Sequence, residues 1–327
     1  MDPAARREPE AQAAKPRILV IKLGALGDFI QALGPMKAIR DHHGQARITL
    51  LTTAPFKELA EASGHFDEVC LDGRPSLFSV PGWLALAWRL RAGRFDRVYD
   101  LQTSGRSSAY FHLVRRPLAG GPEWSGIARG CSHPDDDPRR NALHTVDRQA
   151  AQLSRAGIAR VPATDVAFLE ADVDRFGLAP PYALLVPGGA PHRPGKRWPA
   201  DSYADLARRL VARGVTPVVL GANAEGPVAA RIHEICAGAR DLTGATTLAE
   251  VAALARGAVA AVGNDTGPMH ILAAAGCPCL VLFSHDSDPA LCAPRGDKVT
   301  VIRRRRLADL GVDEVEAALE PRRGAAA

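Results

Sequence analysis

Residues 17–28 read RILVIKLGALGD, and residues 260–270 read AAVGNDTGPMH. Each starts as a short, nearly continuous apolar run, as a parallel strand covered on both faces requires. Each then passes through glycine into a stretch with helical spacing. A strand, a glycine turn and a helix in succession open a βαβ unit, and repetition of that unit implies a parallel sheet.

The alternation extends outward from both stretches. In the first half it predicts strands at 17–23, 48–52, 69–72 and 97–101, with helices at 27–39, 56–62, 83–91, 107–114 and 141–156. Residues 120–141, rich in Gly, Pro and Ser with an acidic run at 135–137, read as a long surface loop. Proline-punctuated residues 162–181 lack periodicity and mark a junction. The rhythm then resumes with strands at 182–186, 216–220, 258–262, 279–283 and 299–302. Helices fit 201–213, 224–237, 248–255, 269–275 and 313–319. The expected fold class is α/β: two tandem Rossmann-like, doubly wound domains facing a cleft. A disordered tail at 1–15 precedes a first domain at 16–165 and a second at 166–327. Strand C-terminal ends, where ligands bind in such sheets, would line the cleft.

Composition agrees. A chain of 327 residues exceeds one ordinary core at roughly 100–200 residues per domain. Hydrophobic residues at 46% and charged residues at 24% exclude global disorder. The longest apolar runs fall far short of the ~20 residues that span a bilayer. Residues 1–15 lack the apolar block of a secretory signal, so a cytoplasmic location is expected. Six cysteines without C-x-x-C spacing read as thiols, not as a disulfide frame or zinc site. Residues 1–162 hold 23 basic and 17 acidic residues, net +6; residues 163–327 hold 18 and 19, net −1. Charge alone leaves open a solvated surface with extra arginines or an acidic partner for the first half: nucleic acid, anionic lipid or a phosphorylated saccharide.

Three stretches carry chemistry. In the first βα turn, Gly24 and Gly27 permit close backbone approach at a helix N-terminus. This is not G-x-G-x-x-G, and no acid stands about 20 residues on, which disfavours a dinucleotide site. Asp28 lies in the first helical turn, either as a helix-start aspartate or as a general base. In the second stretch, Asp265 or Thr266 would cap a helix with Pro268 in its first turn. The free N–H groups of Thr266, Gly267 and Met269 would face an anion, with His270 one turn in at the same mouth. In the third, Gly188 and Gly189 precede His192, Arg193, Lys196 and Arg197, a set suited to a pyrophosphate. Lys196 is the cation expected to touch the ligand, and Trp198 reads as structural. The run 135–137 is not read as a metal site, because consecutive loop carboxylates point apart.

With these motifs the chain resembles glycosyltransferase family 9, the ADP-heptose:lipopolysaccharide heptosyltransferases. The resemblance rests on IKLGALGDFI at 21–30, DLQTSGRS at 100–107, HTVDR at 144–148, PGG at 187–189, GKRWP at 195–199 and NDTGPMH at 264–270. It runs over about residues 17–305.

The resemblance implies a B-type glycosyltransferase fold, with the acceptor on the first domain and the nucleotide-sugar on the second. It implies inverting, metal-independent transfer of a heptose from an ADP-activated donor to an acidic saccharide of the lipid A core. No cofactor or nucleic acid is expected, and contact with an anionic membrane face is. Asp28 and Lys196 take the catalytic roles. Gly188, Gly189, Lys196, Asp265, Thr266, Gly267, Pro268, Met269 and His270 hold the donor; Gly27 and Arg106 serve the acceptor. Ala249 stands where some members place an acid near the ribose. Two alternatives are a transferase of the same fold with another donor sugar or a non-lipid acceptor, and a non-catalytic nucleotide-sugar-binding protein.

Overall fold

The computed structural model describes residues 15–319, apart from 77, 116–119 and 191. The expected 1–15 tail lies almost wholly outside the described residues. The first half runs β1 (Arg17–Ile21), α1 (Leu26–His42), β2 (Arg47–Thr52), α2 (Lys57–Ala62), β3 (Glu68–Leu71), α3 (Val80–Ala92), β4 (Arg97–Asp100), α4 (Gly105–Val114), β5 (Glu123–Gly126), β6 (His133–Pro134) and α5 (Thr145–Arg155). The second runs β7 (Tyr182–Val186), α6 (Ala200–Ala212), β8 (Thr216–Val219), α7 (Gly226–Ile235), β9 (Arg240–Asp241), α8 (Leu248–Gly257), β10 (Ala260–Asn264), α9 (Gly267–Ala274), β11 (Cys279–Phe283), α10 (Pro289–Cys292), β12 (Val299–Arg303) and α11 (Val312–Ala318).

Each half forms one six-stranded parallel sheet. The orders are β3-β2-β1-β4-β5-β6 and β12-β11-β10-β7-β8-β9. Counted within its own half, each sheet has the same order, 3-2-1-4-5-6. Connections leave β1 toward one edge and β4 toward the other, so the crevice beyond their C-terminal ends is a topological switch point. The β7/β10 pair makes the second. Ile21 pairs with Asp100, and Val186 with Gly263. The chain stretches just beyond these pairs are therefore the motif stretches read from sequence.

Residues 120–141 correct the sequence reading. They contain β5 and β6, which extend the first sheet, in place of an uninterrupted loop. β5 has four residues, one of them large and apolar, so its length and composition hide it. Trp124 is fully buried there, edge-on to Phe111 at 5.4 Å between ring centroids. Helix α1 also runs past its expected end at 39 and through Pro35 to His42.

One apolar cluster runs from the first half into the second. It includes Ile18, Val20, Phe29 and Leu33 of the first and Val186, Met269, Ile271 and Phe283 of the second. Helices α1 and α9 pack where the halves meet. The junction segment lies along both: Thr164 Oγ1 donates to the Ile30 carbonyl, and Arg256 donates to the carbonyls of Val166 and Leu169. No helix among the described residues is long and apolar enough to cross a membrane.

Candidate active site between the two switch points

The N-termini of α1 and α9 abut, and glycine makes that approach possible. A methyl group on Gly27 would stand 2.8 Å from the His270 ring, and one on Gly267 would stand 2.8 Å from Leu26. Such distances are below any ordinary carbon contact, so both glycines are required by helix approach. Leu26 thus packs against Gly267 on the side where a side chain would stand.

Two buried groups register the charges gathered here. Burial drives the His270 imidazole down to about 4, with Asp265 and Asp28 pulling the other way. It is neutral at neutral pH, and its Nδ1 has no hydrogen-bond partner among the described residues. Burial pushes the Cys292 thiol up to about 11, aided by the charges of Asp265 and Asp28 and opposed by Lys196. Asp28, Lys196 and the Asp265–His270 stretch, far apart in sequence, thus share one neighbourhood.

In the second half, Lys196 Nζ donates to Asp265 Oδ2 at 2.6 Å, and Ser287 Oγ donates to the same oxygen at 2.7 Å. Both charged side chains are nearly buried. Asp265 does not cap α9; the N-cap is Thr266, and its side chain makes no capping bond. Pro268 lies in the first turn, as its missing N–H favours. Met269 points inward, fully buried, toward Gly263.

Asn264 holds this edge in shape. Its Oδ1 accepts from the Trp198 N–H and the Tyr203 hydroxyl, and its Nδ2 donates to the carbonyls of Pro187 and Gly188. A buried amide that uses both ends fixes the β7 and β10 exits against each other. Trp198 is buried and edge-on to Tyr203, as its structural reading requires. Gly188 faces Glu225, and Arg197 Nη2 donates to the Gly189 carbonyl at 2.8 Å. Glu225, which follows β8 at the ligand edge, escaped the sequence reading. Glu250, beside Ala249, is occupied by the α8 capping box with Thr247 and by Arg175.

In the first half, Asp28 lines a polar cavity of about 60 Å³ with Lys22, Thr103, Arg140, Arg148 and Gln152. That is several times the room one water needs. Lys22 is buried, and its Nζ makes one long contact, 3.4 Å to the Leu101 carbonyl. Burial lowers its pKa; Asp28 and Asp100 oppose the shift. Burial raises Asp100 to about 6, against backbone donors at Thr103 and Gln102. Arg148 makes no side-chain hydrogen bond among the described residues, and Arg140 Nη2 and the Gln152 Oε1 are buried without partners. Lys22, Arg140 and Arg148 were not singled out from sequence. A lysine ending an apolar strand was the available signal, since burying a charge is costly unless function requires it.

Arg106 lies apart from this cavity. It donates to the Pro75 carbonyl at 3.0 Å and stacks over Trp83 at 5.4 Å. The acidic run is structural: Asp135, nearly buried, accepts from Arg140 and Arg155 at 2.7 Å each. Among the described residues no three His, Cys, Asp or Glu side chains gather as a metal-ligand set.

The motif at 144–148 joins the halves. His144 Nε2 donates to the Ala293 carbonyl at 3.0 Å while its Nδ1 accepts from the Val146 N–H. Those two bonds select the neutral Nε2–H tautomer. Thr145 Oγ1 donates to the Leu291 carbonyl, Gln31 Nε2 donates to the carbonyls of Cys292 and Ala293, and Arg295 makes a bidentate pair with Asp147. The α10 segment of the second half is thereby clamped onto α1 and α5, beside Asp28.

The family model described as glycosyltransferase family 9 (heptosyltransferase) matches residues 83–316. The chain is similar to lipopolysaccharide heptosyltransferase 2 of Escherichia coli, 28% identical over 309 residues, covering 88% of each chain. It is also similar to lipooligosaccharide heptosyltransferase 2 of Haemophilus influenzae, 37% identical over 123 residues, 35% of this chain and 34% of that protein. In fold it is similar to the solved E. coli ADP-heptose lps heptosyltransferase II, with a TM-score of 0.74 at 24% identity over 92% of this chain and 98% of that one.

Proposed function

The chain belongs to glycosyltransferase family 9, and we propose that it transfers a heptose from ADP-heptose to an acidic inner-core saccharide of lipopolysaccharide. The transfer inverts the anomeric centre and uses no metal. The first half, 16–165, takes the acceptor, and the second, 166–327, takes the nucleotide-sugar. The observation that carries this reading is the meeting of two equivalent switch points at the α1/α9 contact, one presenting Asp28 and the other Lys196.

Asp28 removes the proton from the acceptor hydroxyl as its oxygen attacks the anomeric carbon. The diphosphate departs from the opposite face, so one displacement inverts the centre. The transition state has oxocarbenium character, as in glycoside hydrolysis. Negative charge then grows on the diphosphate. Lys196 and the N–H groups of Thr266 and Gly267 at the α9 N-terminus are fixed donors toward that charge, whereas the Met269 N–H, expected from sequence to be free, donates to the Thr266 carbonyl; such preorganisation is commonly the largest catalytic term. Asp265, already bonded to Lys196, orients the cation. His270 is neutral and acts as a hydrogen-bonding and packing group. Gly188 and Gly189 leave room for the nucleotide beside Glu225.

The cavity beside Asp28 supports an anionic acceptor. Lys22, Arg140 and Arg148 converge on it, and of the three only Arg140 is bonded to a carboxylate, that of Asp135. A phosphate or carboxylate of the saccharide would fill it and bring a neighbouring hydroxyl to Asp28. Such an acceptor is lipid-anchored, so the protein works at an anionic membrane face.

Incubation of the purified chain with ADP-heptose and a delipidated inner-core saccharide tests the reading by mass spectrometry. A product heavier by one heptose residue is expected, and excess EDTA leaves its rate unchanged. No product, or a rate that follows added magnesium or manganese, overturns the donor–acceptor pair or the metal-free step respectively.

A further inference from the structure

Six large hydrophobic side chains are exposed among the described residues: Phe78, Val80, Leu84, Trp88, Ile127 and Val211. The first four fall within residues 78–88. Val80, Leu84 and Trp88 recur at i, i+4 and i+8, which is one stripe of α3. They are 64%, 65% and 72% exposed, and Phe78, just before the helix, is 93% exposed. The neighbouring face of α3 buries Leu86, Ala87 and Leu90, and Leu86 and Leu90 share a core with Leu19 and Ile21 of the first sheet. Helix α3 is therefore apolar toward the core and apolar toward solvent. A contiguous patch of this kind marks an interaction surface.

Charge identifies the partner. Residues 73–95 contain four arginines and no acid, and residues 101–122 contain three arginines and no acid. These segments include α3 and α4, which pack side by side. Arg89 is held to the Leu71 carbonyl, Arg106 stands over Trp83 and Arg115 over Phe111, while Arg94 is exposed. A second copy docking through the same stripe would set these arginines against one another, with no carboxylate on either α3 or α4 to meet them. An anionic bilayer satisfies both features, taking aromatic and aliphatic side chains below the headgroups and arginines at headgroup level.

Position links the patch to the site. The loop between β3 and α3 leaves the C-terminal edge of the first sheet, the edge that carries Asp28. Arg74 in that loop donates to the Leu23 carbonyl, in the turn leading to Asp28, and Arg106 donates to Pro75.

We propose that α3 and the loop before it seat the protein on an anionic bilayer, with Phe78, Leu84 and Trp88 entering the interface. The inference rests on the reading of a lipid-anchored acceptor for its purpose, but its test needs no acceptor. The full chain is floated with vesicles of phosphatidylethanolamine and phosphatidylglycerol, and separately with phosphatidylcholine vesicles. The chain floats with the anionic vesicles, less so as salt rises. The Phe78→Ser/Leu84→Ser/Trp88→Ser variant partitions about 30-fold more weakly, as withdrawal of three large side chains from an interface requires. Its transfer to the delipidated saccharide stays at the wild-type rate, and Arg94→Glu weakens flotation without touching the apolar stripe. The proposal is overturned if wild type stays out of the anionic vesicles or if the triple variant floats as well as wild type. It is also overturned if the stripe holds together a wild-type dimer that the variant dissociates. Flotation without any heptosyl transfer would reject the proposed reaction and leave the membrane face standing; transfer without flotation would do the reverse.

Discussion

Between the exits of β7 and β10, Lys196 and Asp265 neutralise each other at 2.6 Å, with Ser287 on the same carboxylate. At the exit of β1, Lys22 lies as deep, with one 3.4 Å carbonyl contact and no ion-pair partner among the described residues. The two sheets have the same strand order, and Lys196, after β7, and Lys22, after β1, follow equivalent strands. Topology therefore does not dictate how charge is compensated. The second half carries its own counter-charge, so its lysine is fixed before a ligand arrives. The first half leaves Lys22 and Arg148 without a bonded carboxylate at its cavity, although Asp28 lines that cavity and Asp135 holds Arg140. A buried charge without a bonded partner lowers stability, which fits the acceptor site proposed there.

The sharpest break of this comparison is at Asp28. Asp28→Asn keeps the shape but cannot accept a proton, so turnover should fall about 10²–10⁴-fold, the usual worth of a general base. ADP affinity by calorimetry should hold, because the proposed donor site is at the other switch point. Turnover within about threefold of wild type would remove Asp28 from the role.

The two lysines should respond oppositely to the same substitution. Lys196→Met strands Asp265 and should cost about 3 kcal/mol in urea unfolding, as does breaking a buried pair. Lys22→Met strands no bonded partner and should leave stability unchanged or raised, while acceptor KM increases. Equal losses in both variants would show that the two sites are compensated alike.

His270 sharpens the comparison through pH. Its folded value, about 4, lies below the ordinary 6.5. A group lowered on folding contributes stability above its unfolded pKa and loses it as pH falls toward the folded one. The window is therefore pH 6.5 down to 4, and the contribution lost is about 3 kcal/mol. Thermal unfolding of His270→Gln should show a shallower decline across that window than wild type. Parallel declines would mean that the imidazole protonates freely where it stands.

The smallest expected effect is at Arg106, which already serves Pro75 and Trp83. Arg106→Ala should raise acceptor KM about fivefold, since a basic group near an anionic surface contributes about 1 kcal/mol. Added salt should weaken acceptor use more than ADP binding. A variant that loses ADP affinity while acceptor kinetics hold would reverse the assignment of the halves.

The motifs at Gly27–Asp28 and 264–270 were legible because the ligand edge of a doubly wound sheet is built from consecutive residues. A strand, a glycine and a helix start leave a local trace. The 120–141 segment was not legible as strand, because four residues such as Glu123–Gly126 pair only when β4 is already in place. Lys22, Arg140 and Arg148 lie in three separate segments, and nothing local marks them as neighbours. Leu26 over Gly267 is a contact between the halves, invisible to any window of sequence.

By itself the sequence determined the alternation of strand and helix, the two halves, the order of the motifs and the excess of basic residues in the first half. Those are properties of periodicity, composition and short-range backbone geometry. Tertiary structure alone decided that Lys196 is bonded to Asp265, that Lys22 has no such partner, and that the 144–148 motif clamps α10 beside Asp28. It also decided that Val80, Leu84 and Trp88 stay exposed although the helix that carries them is apolar on its inner face as well. Hydrophobicity states that a side chain gains by leaving water, but only the packed fold determines which of them the core has room to take.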